Sequence, residues 1–153
     1  MIEIIEYTDK YKKEVIDLFI QLQEFEKVIY PDRKPGDDIA LDYVGGYQED
    51  AADNDLILLA VESSEVLGFI WVFDEKEMIN KSPVLYISDL IVKEGHRGKG
   101  IGNLLLAAAE GVCRRRGFKK MKVGALVKNG VACSFYKSKG FNEIEIEMVK
   151  DIE

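Results

Sequence analysis

Ser88-Asp89-Leu90-Ile91-Val92-Lys93-Glu94-Gly95-His96-Arg97-Gly98-Lys99-Gly100-Ile101-Gly102 is the stretch on which the reading of this chain turns. Val84 to Val92 is long and apolar enough for a central strand, and it runs into a basic, glycine-rich turn. A helix starts straight out of that turn, its face traced by Ile101, Leu104, Leu105, Ala108 and Val112. Glycines remove side chains where backbone N–H groups must converge, and the helix N-terminus adds partial positive charge. Such a turn suits a phosphate. A Walker loop from Gly95 would need Lys and then Ser or Thr after Gly100, but Ile101 and Gly102 stand there. A dinucleotide loop from Gly98 would need Gly or Ala where Asn103 stands, and no plain early βαβ unit precedes it.

Working upstream, Glu62-Ser63-Ser64-Glu65 reads as a hairpin turn between two β-rich runs, Leu56 to Val61 and Val66 to Phe73, which should pair antiparallel. A polar connection around Asp74 to Ser82 follows. At the start of the chain, Ile2 to Tyr7 favours a strand, and Thr8 offers an N-cap oxygen. Tyr11, Val15, Leu18, Leu22 and Phe25 then place one apolar stripe on a helix reaching about Lys27. Pro31, Pro35 and Gly36 break the chain before a shorter helix that starts at Asp37 or Asp38, bears Ile39, Leu41 and Tyr43, and ends near Gly45-Gly46. Downstream, Arg114-Arg115-Arg116 suits the negative end of the helix dipole. Lys120 to Leu126 reads as a short strand and Gly130 to Ser138 as a helix. Both late helices close in Gly-Phe, at Gly117-Phe118 and Gly140-Phe141, where glycine takes the left-handed cap and phenylalanine packs back. A last strand, Glu143 to Val149, alternates acid and apolar residues. The order expected is β-α-α-β-β-β-α-β-α-β: a mixed, mostly antiparallel α/β sheet flanked by helices, in one domain spanning residues 1–153.

The chain has 153 residues, ordinary globular composition and a formal charge of −7. That charge is unevenly divided. Lys93 to Lys139 holds twelve Lys or Arg and two acids, a net of +10 that leaves −17 elsewhere. One part therefore suits an anion and another a cation, although solvated helix faces of different sign would look the same. The apolar runs are too short to span a bilayer, and Glu3 and Glu6 spoil any secretory start, so a cytoplasmic protein without membrane contact is expected. Cys113 and Cys133 are spaced like neither a zinc knuckle nor a redox pair, and with His96 the sole imidazole no metal site is expected.

Arg97-x-x-Gly100-x-Gly102 resembles the pyrophosphate loop of the GNAT superfamily of acetyl-CoA-dependent N-acetyltransferases. Leu90-Ile91-Val92 looks like that family's strand beside the pantetheine arm. Asn129-x-x-Ala132-x-x-Phe135-Tyr136-x-x-x-Gly140-Phe141 resembles its second motif, at the expected separation. The likeness runs from about Leu56 to Phe141 and is weak before that. It implies acetyl transfer from acetyl-CoA to a primary amine of a small molecule or protein, by direct attack in a ternary complex. A coenzyme-binding sensor without turnover is the alternative. Nucleic-acid binding through the basic segment is disfavoured, since an anionic coenzyme accounts for those cations; relatives often form homodimers, but no residue here shows it.

Carried onto this chain, the resemblance implies that Leu90, Ile91, Val92, Arg97, Gly98, Lys99, Gly100, Ile101, Gly102, Asn129 and Tyr136 bind the coenzyme. The oxyanion donor would be a main-chain N–H near Leu90 to Val92, where a bulge splays the strand. Tyr136 would protonate the departing thiolate: a phenol of ordinary pKa near 10 is protonated at neutrality. The plainer readings are core packing for Tyr136, helix capping for Asn129 and a solvated surface side chain for Arg97. His96, in the loop, reads as non-catalytic. Asp89 is the favoured general base, with Ser88 expected to point to the opposite side of the strand; a water chain or an N-terminal carboxylate would serve as well. Acceptor recognition is implied for Thr8 to Asp53, where Glu24, Glu26, Asp32, Asp37, Asp38, Asp42, Glu49, Asp50 and Asp53, with Asp55 close by, favour a cationic acceptor or simply make an acidic solubilising face. Trp71 and Phe73 read as core.

Overall fold

A computed structural model of the chain describes residues 1–45, 54–76 and 82–153. In chain order the elements are β1 (Glu3–Glu6), a 3-10 turn (Asp9–Tyr11), α1 (Lys12–Ile29), α2 (Gly36–Gly45), β2 (Leu56–Glu62), β3 (Glu65–Glu75), β4 (Val84–Val92), α3 (Ile101–Arg115), β5 (Met121–Val123) and α4 (Gly130–Ser138). The five strands form one sheet in sequence order, antiparallel except where β5 joins β4 in parallel. The expected mixed, mostly antiparallel α/β architecture is what forms. No helix among the described residues is long and apolar enough to cross a membrane. Glu49, Asp50 and Asp53, the Gly46 end of α2 and most of the connection before Ser82 lie outside the described residues.

Alternation along the strands makes two cores, one on each face of the sheet. Ile57, Leu59, Phe69 and Trp71 meet α1 and α2 on one side, while Leu58, Ala60, Ile70 and Val72 meet α3 on the other. Trp71 is buried, as expected, and Tyr43 of α2 sits between it and Phe19, with ring centroids 5.3 and 5.1 Å away. The hairpin turn is the expected Ser63-Ser64, and both residues take positive φ, 50° and 66°. That is the type I′ geometry whose twist matches the flanking strands.

Several expectations shift. Thr8 precedes the 3-10 turn and makes no side-chain cap. Tyr11 of the 3-10 turn and Val15, Leu18, Phe19 and Gln23 of α1 make the buried stripe, whereas Phe25 is exposed. On α2, Ala40 and Val44 are buried and Leu41 and Tyr43 are exposed. On α3, Leu106, Ala109 and Cys113 join the buried face and Leu104 leaves it. On α2 the small Ala40 and Val44 face the sheet, whereas on α1 and α3 residues of similar size are exchanged by a rotation of the helix face. Lys120 to Leu126 shortens to Met121–Val123.

The last strand is a correction: Glu143 to Val149 forms none, and all twelve residues from 142 to 153 are exposed. Alternation supplies the two faces of a strand, but a strand also needs a neighbour for its ladder, and among the described residues no strand pairs with this segment.

Candidate active site

The site is set by how β4 ends. β4 pairs with β3 up to Val92, but its parallel partner β5 follows it only from Leu85 to Ile87. Among the described residues Ser88 to Val92 therefore have no strand beside them on that side, and the sheet opens into a wedge. β3 lets β4 continue closely on the other side through Gly68, opposite Val92, where a Cβ would stand 2.6 Å from the Ile91 carbonyl oxygen.

Within this stretch the register with β3 slips: Trp71 pairs with Asp89 and Val72 with Ile87, so Ser88 is an extra residue. The bulge lies at Ser88 rather than at Leu90 to Val92, where it was expected. It reverses side-chain parity. Leu85 and Ile87 point to the α3 face; beyond the bulge Leu90 and Val92 do, while Ile91 joins the α1 core. Ser88 and Asp89 consequently do not point apart as neighbours on a regular strand would. Ser88 Oγ donates to Asp89 Oδ2 at 2.8 Å.

Asp89 is densely surrounded by protein though not sealed from solvent, and desolvation pushes its carboxyl up to about 6. The Ser88 hydrogen bond opposes that shift, Glu26 adds to it, and Arg33 draws it down. Glu26 and Arg33 are the site residues that sequence reasoning underused. Arg33 Nη2 bridges Glu26 Oε2 at 2.7 Å and the buried Gln23 Oε1 at 2.9 Å, and its Nε is buried without a partner. Glu26 carried only its charge as a signal; Arg33, four residues past the end of α1, carried none. Of the other acids, Glu24 accepts from the Gly36 amide, 2.7 Å away, and Asp55 accepts from Trp71 Nε1, so both have structural work. Asp32, Asp37, Asp38 and Asp42 are exposed.

Tyr136 comes from α4 on the opposite face. Its ring meets Phe135 and Phe141 edge-on, at 5.3 and 5.4 Å. Burial raises its hydroxyl pKa well above the usual phenol value, and the charges of Asp89 and Glu26 raise it further. A side chain packed on the α3 face thus senses carboxylates of the α1 face, because the sheet is open between them.

The loop closes the wedge. Gly95, Gly98 and Gly100 all have positive φ, 84°, 74° and 83°, and a Cβ on any of them would meet nothing within 4 Å. The requirement there is backbone conformation with an open outer side. Gly100 caps α3, whose first N–H groups have no intrahelical partner and face the same space. Ile101 is buried, so it can offer a ligand only its backbone. A Cβ on Gly102 would lie 3.5 Å from the Phe135 ring, an ordinary van der Waals contact, where the two motifs touch. Arg97 donates through Nε to the Val92 carbonyl, 3.1 Å away, and its guanidinium lies 6.0 Å from the centre of the Phe25 ring, which explains an exposed aromatic on α1. Lys99 is exposed on the loop, and His96 is tied back through its amide to the Lys93 carbonyl. Asn129 caps α4, its side chain accepting from the Ala132 amide at 3.2 Å.

The family model for the acetyltransferase (GNAT) family matches residues 18–141. The chain belongs to that family. GNAT proteins use acetyl-CoA. Among relatives, the uncharacterized N-acetyltransferase YycN of Bacillus subtilis is 28% identical over 94 residues, a match that covers 61% of this chain and 59% of that protein. The chain thus spans about three fifths of that relative's length. A tetramutant of a Bacillus halodurans protein superposes with a TM-score of 0.85 at 22% identity, covering 98% of this chain and 99% of that one. AAC(6')-Iy in complex with the bisubstrate analogue CoA-S-monomethyl-acetylneamine superposes with a TM-score of 0.76 at 18% identity, over 100% and 99% of the two chains. At such identities these structures speak for the GNAT fold alone.

Proposed function

We propose that the chain acts as one N-acetyltransferase domain that moves the acetyl group of acetyl-CoA to a primary amine on a cationic acceptor. The observation that carries this reading is the wedge: β4 and β5 part after Ile87, a glycine loop lies at the wide end, and Asp89 and Tyr136 approach from opposite faces. The amides of the loop and of the first α3 turn would hold the pyrophosphate, with Arg97 and Lys99 adding charge. The unpaired edge of Ser88 to Val92 would take the pantetheine arm. Asn129 would touch that arm through the amide nitrogen its cap does not use.

The amine nitrogen attacks the thioester carbonyl; a C–N bond forms and the C–S bond breaks. A backbone N–H on the open side of β4 stabilises the oxyanion. Asp89, with its pKa near 6, takes the proton lost by nitrogen, and Tyr136, protonated across the working pH range, gives one to the departing sulfur. Glu26 beside Asp89 places negative charge where a cationic acceptor would enter. The test is to incubate the protein with acetyl-CoA and an amine panel and follow free thiol and acetylated amine. Equimolar thiol and amide on polycationic amines is the expected result. Coenzyme binding without thiol release over the whole panel would make the protein a sensor.

A further inference from the structure

The loop between α1 and α2 carries an arginine that the transfer chemistry above leaves without a task. Arg33 Nη2 donates to Glu26 Oε2 at 2.7 Å and to Gln23 Oε1 at 2.9 Å. Gln23 and Glu26 stand three residues apart on α1, so their side chains share one face and a single guanidinium nitrogen can span them. Gln23 is 4% exposed, and Arg33 Nε is buried without a partner. The loop has other means of holding its shape. The Gly36 amide donates to Glu24 Oε1 at 2.7 Å and the Arg33 amide to the Tyr30 carbonyl at 3.2 Å. Gly36 lies so close to α1 that a Cβ on it would stand 2.9 Å from the Ile20 carbonyl oxygen. A partly buried guanidinium with an orphan N–H is a costly clamp for a loop already held in this way. What arginine supplies and a neutral side chain does not is a charge present at every working pH.

That charge acts on two carboxyls. Burial raises Glu26 above the usual carboxylate range, and Arg33 draws it back. Asp89 senses Glu26 and Arg33 as well, the first raising it and the second lowering it. The groups that bear on Asp89 come from every side of the wedge: Ser88 from its own strand, Glu26 from α1, Arg33 from the loop and Tyr136 from α4. Two carboxyls in a desolvated cleft tend to share one proton, and then neither is reliably the anion or the base. A fixed cation bonded to one of them breaks the tie. The carboxylate it touches stays charged, and the other titrates near neutrality.

We infer that Arg33 is a positioning residue for acetyl transfer: bound to Glu26 and Gln23, it fixes Glu26 as the anion that meets the acceptor and leaves Asp89 to take the proton. The inference rests on the acetyltransferase reading above and adds to it a division of labour between the two carboxyls. With Arg33→Gln the cation is gone, both carboxyls keep their protons to higher pH, and the acidic limb of kcat/KM should move to higher pH. Activity should fall about fivefold at pH 6.5 and recover to within about twofold at pH 9. Arg33→Lys, which keeps the charge, should bring the limb back towards its original position. Carbon-13 titration of the carboxyl groups needs no turnover. In the unaltered protein Glu26 should titrate below Asp89, and in Arg33→Gln both should titrate at higher pH. A loss of activity equal at every pH, or a limb that Arg33→Lys fails to restore, would reduce Arg33 to a clamp for the loop. Glu26 titrating above Asp89 in the unaltered protein would overturn the inference by itself, and that measurement decides if Arg33→Gln does not fold. If no amine is acetylated, the acetyltransferase reading fails, while the order of titration still decides whether Arg33 sorts the two carboxyls.

Discussion

At the scale of single residues, the wedge depends on two groups whose ionisation is pushed away from neutrality's usual pattern. Asp89 is raised to about 6 chiefly by desolvation, so between its ordinary 3.8 and 6 the folded state holds more protons than the unfolded one. Stability contributed by this carboxyl is therefore lost as pH rises through that window, and above it the buried charge costs about 2 kcal/mol, somewhat below the full shift because solvent still reaches the site. Asp89→Asn keeps the Ser88 hydrogen bond and removes the charge. It should raise Tm by roughly 3–6 °C at pH 8 and change it little at pH 4, by calorimetry, while abolishing the rise of kcat/KM through pH 6. A wild-type profile flat from pH 5 to 8 would remove Asp89 from the role of base. Tyr136→Phe keeps the edge-on contacts with Phe135 and Phe141. It should lower kcat on the order of 10²-fold and leave the coenzyme Kd within about twofold; unchanged turnover would return Tyr136 to packing alone.

At the scale of elements, two glycines flank the wedge for different reasons, and their variants should separate. Gly68→Val would drive a side chain into the β4 backbone, where even a Cβ stands 2.6 Å from Ile91 O, and should cost about 2–4 kcal/mol in chemical denaturation. At Gly100 an added Cβ meets nothing within 4 Å, so the cost of Gly100→Val is about 1–2 kcal/mol for the left-handed φ, with a larger effect on the coenzyme, whose place its side chain would enter. Calorimetry should show coenzyme affinity down at least tenfold, and retained affinity would move the phosphate site elsewhere. The same contrast explains what the sequence made legible. Gly130 to Ser138 and both Gly-Phe endings read correctly because local signals, a cap residue and a left-handed glycine, determine them. Helix faces read only to within a rotation, since which of Leu104 and Leu106 goes inward depends on the sheet. The Ser88 bulge was not legible, because an extra residue shows only against its partner strand. Arg33 was invisible because its meaning comes from Glu26 and Gln23 on another element.

For the whole molecule, part of the uneven charge is divided across the sheet. α2, with Asp37, Asp38 and Asp42 and no Lys or Arg, packs on one face beside a nearly balanced α1, and α3, ending in Arg114 and Arg115, packs on the other. The wedge is where the faces communicate, so an anionic cosubstrate and a cationic acceptor would each be drawn in from its own side. Glu26 is where this field reaches the chemistry. Glu26→Gln removes a charge that raises both Asp89 and Tyr136, and leaves Arg33 still drawing Asp89 down. The acidic limb of the kcat/KM profile should therefore move to lower pH, and KM for a polyamine should rise about tenfold at low ionic strength. At about 1 M salt, where the screening length falls to about 3 Å, the gap between variant and wild type should narrow. A monoamine of lower charge should show the pH shift with a smaller change in KM, because Asp89 responds to Glu26 whatever the acceptor carries. An equal KM effect on both amines at every salt concentration would show that Glu26 acts by shaping the cleft, and that the acidic face has no part in choosing the acceptor.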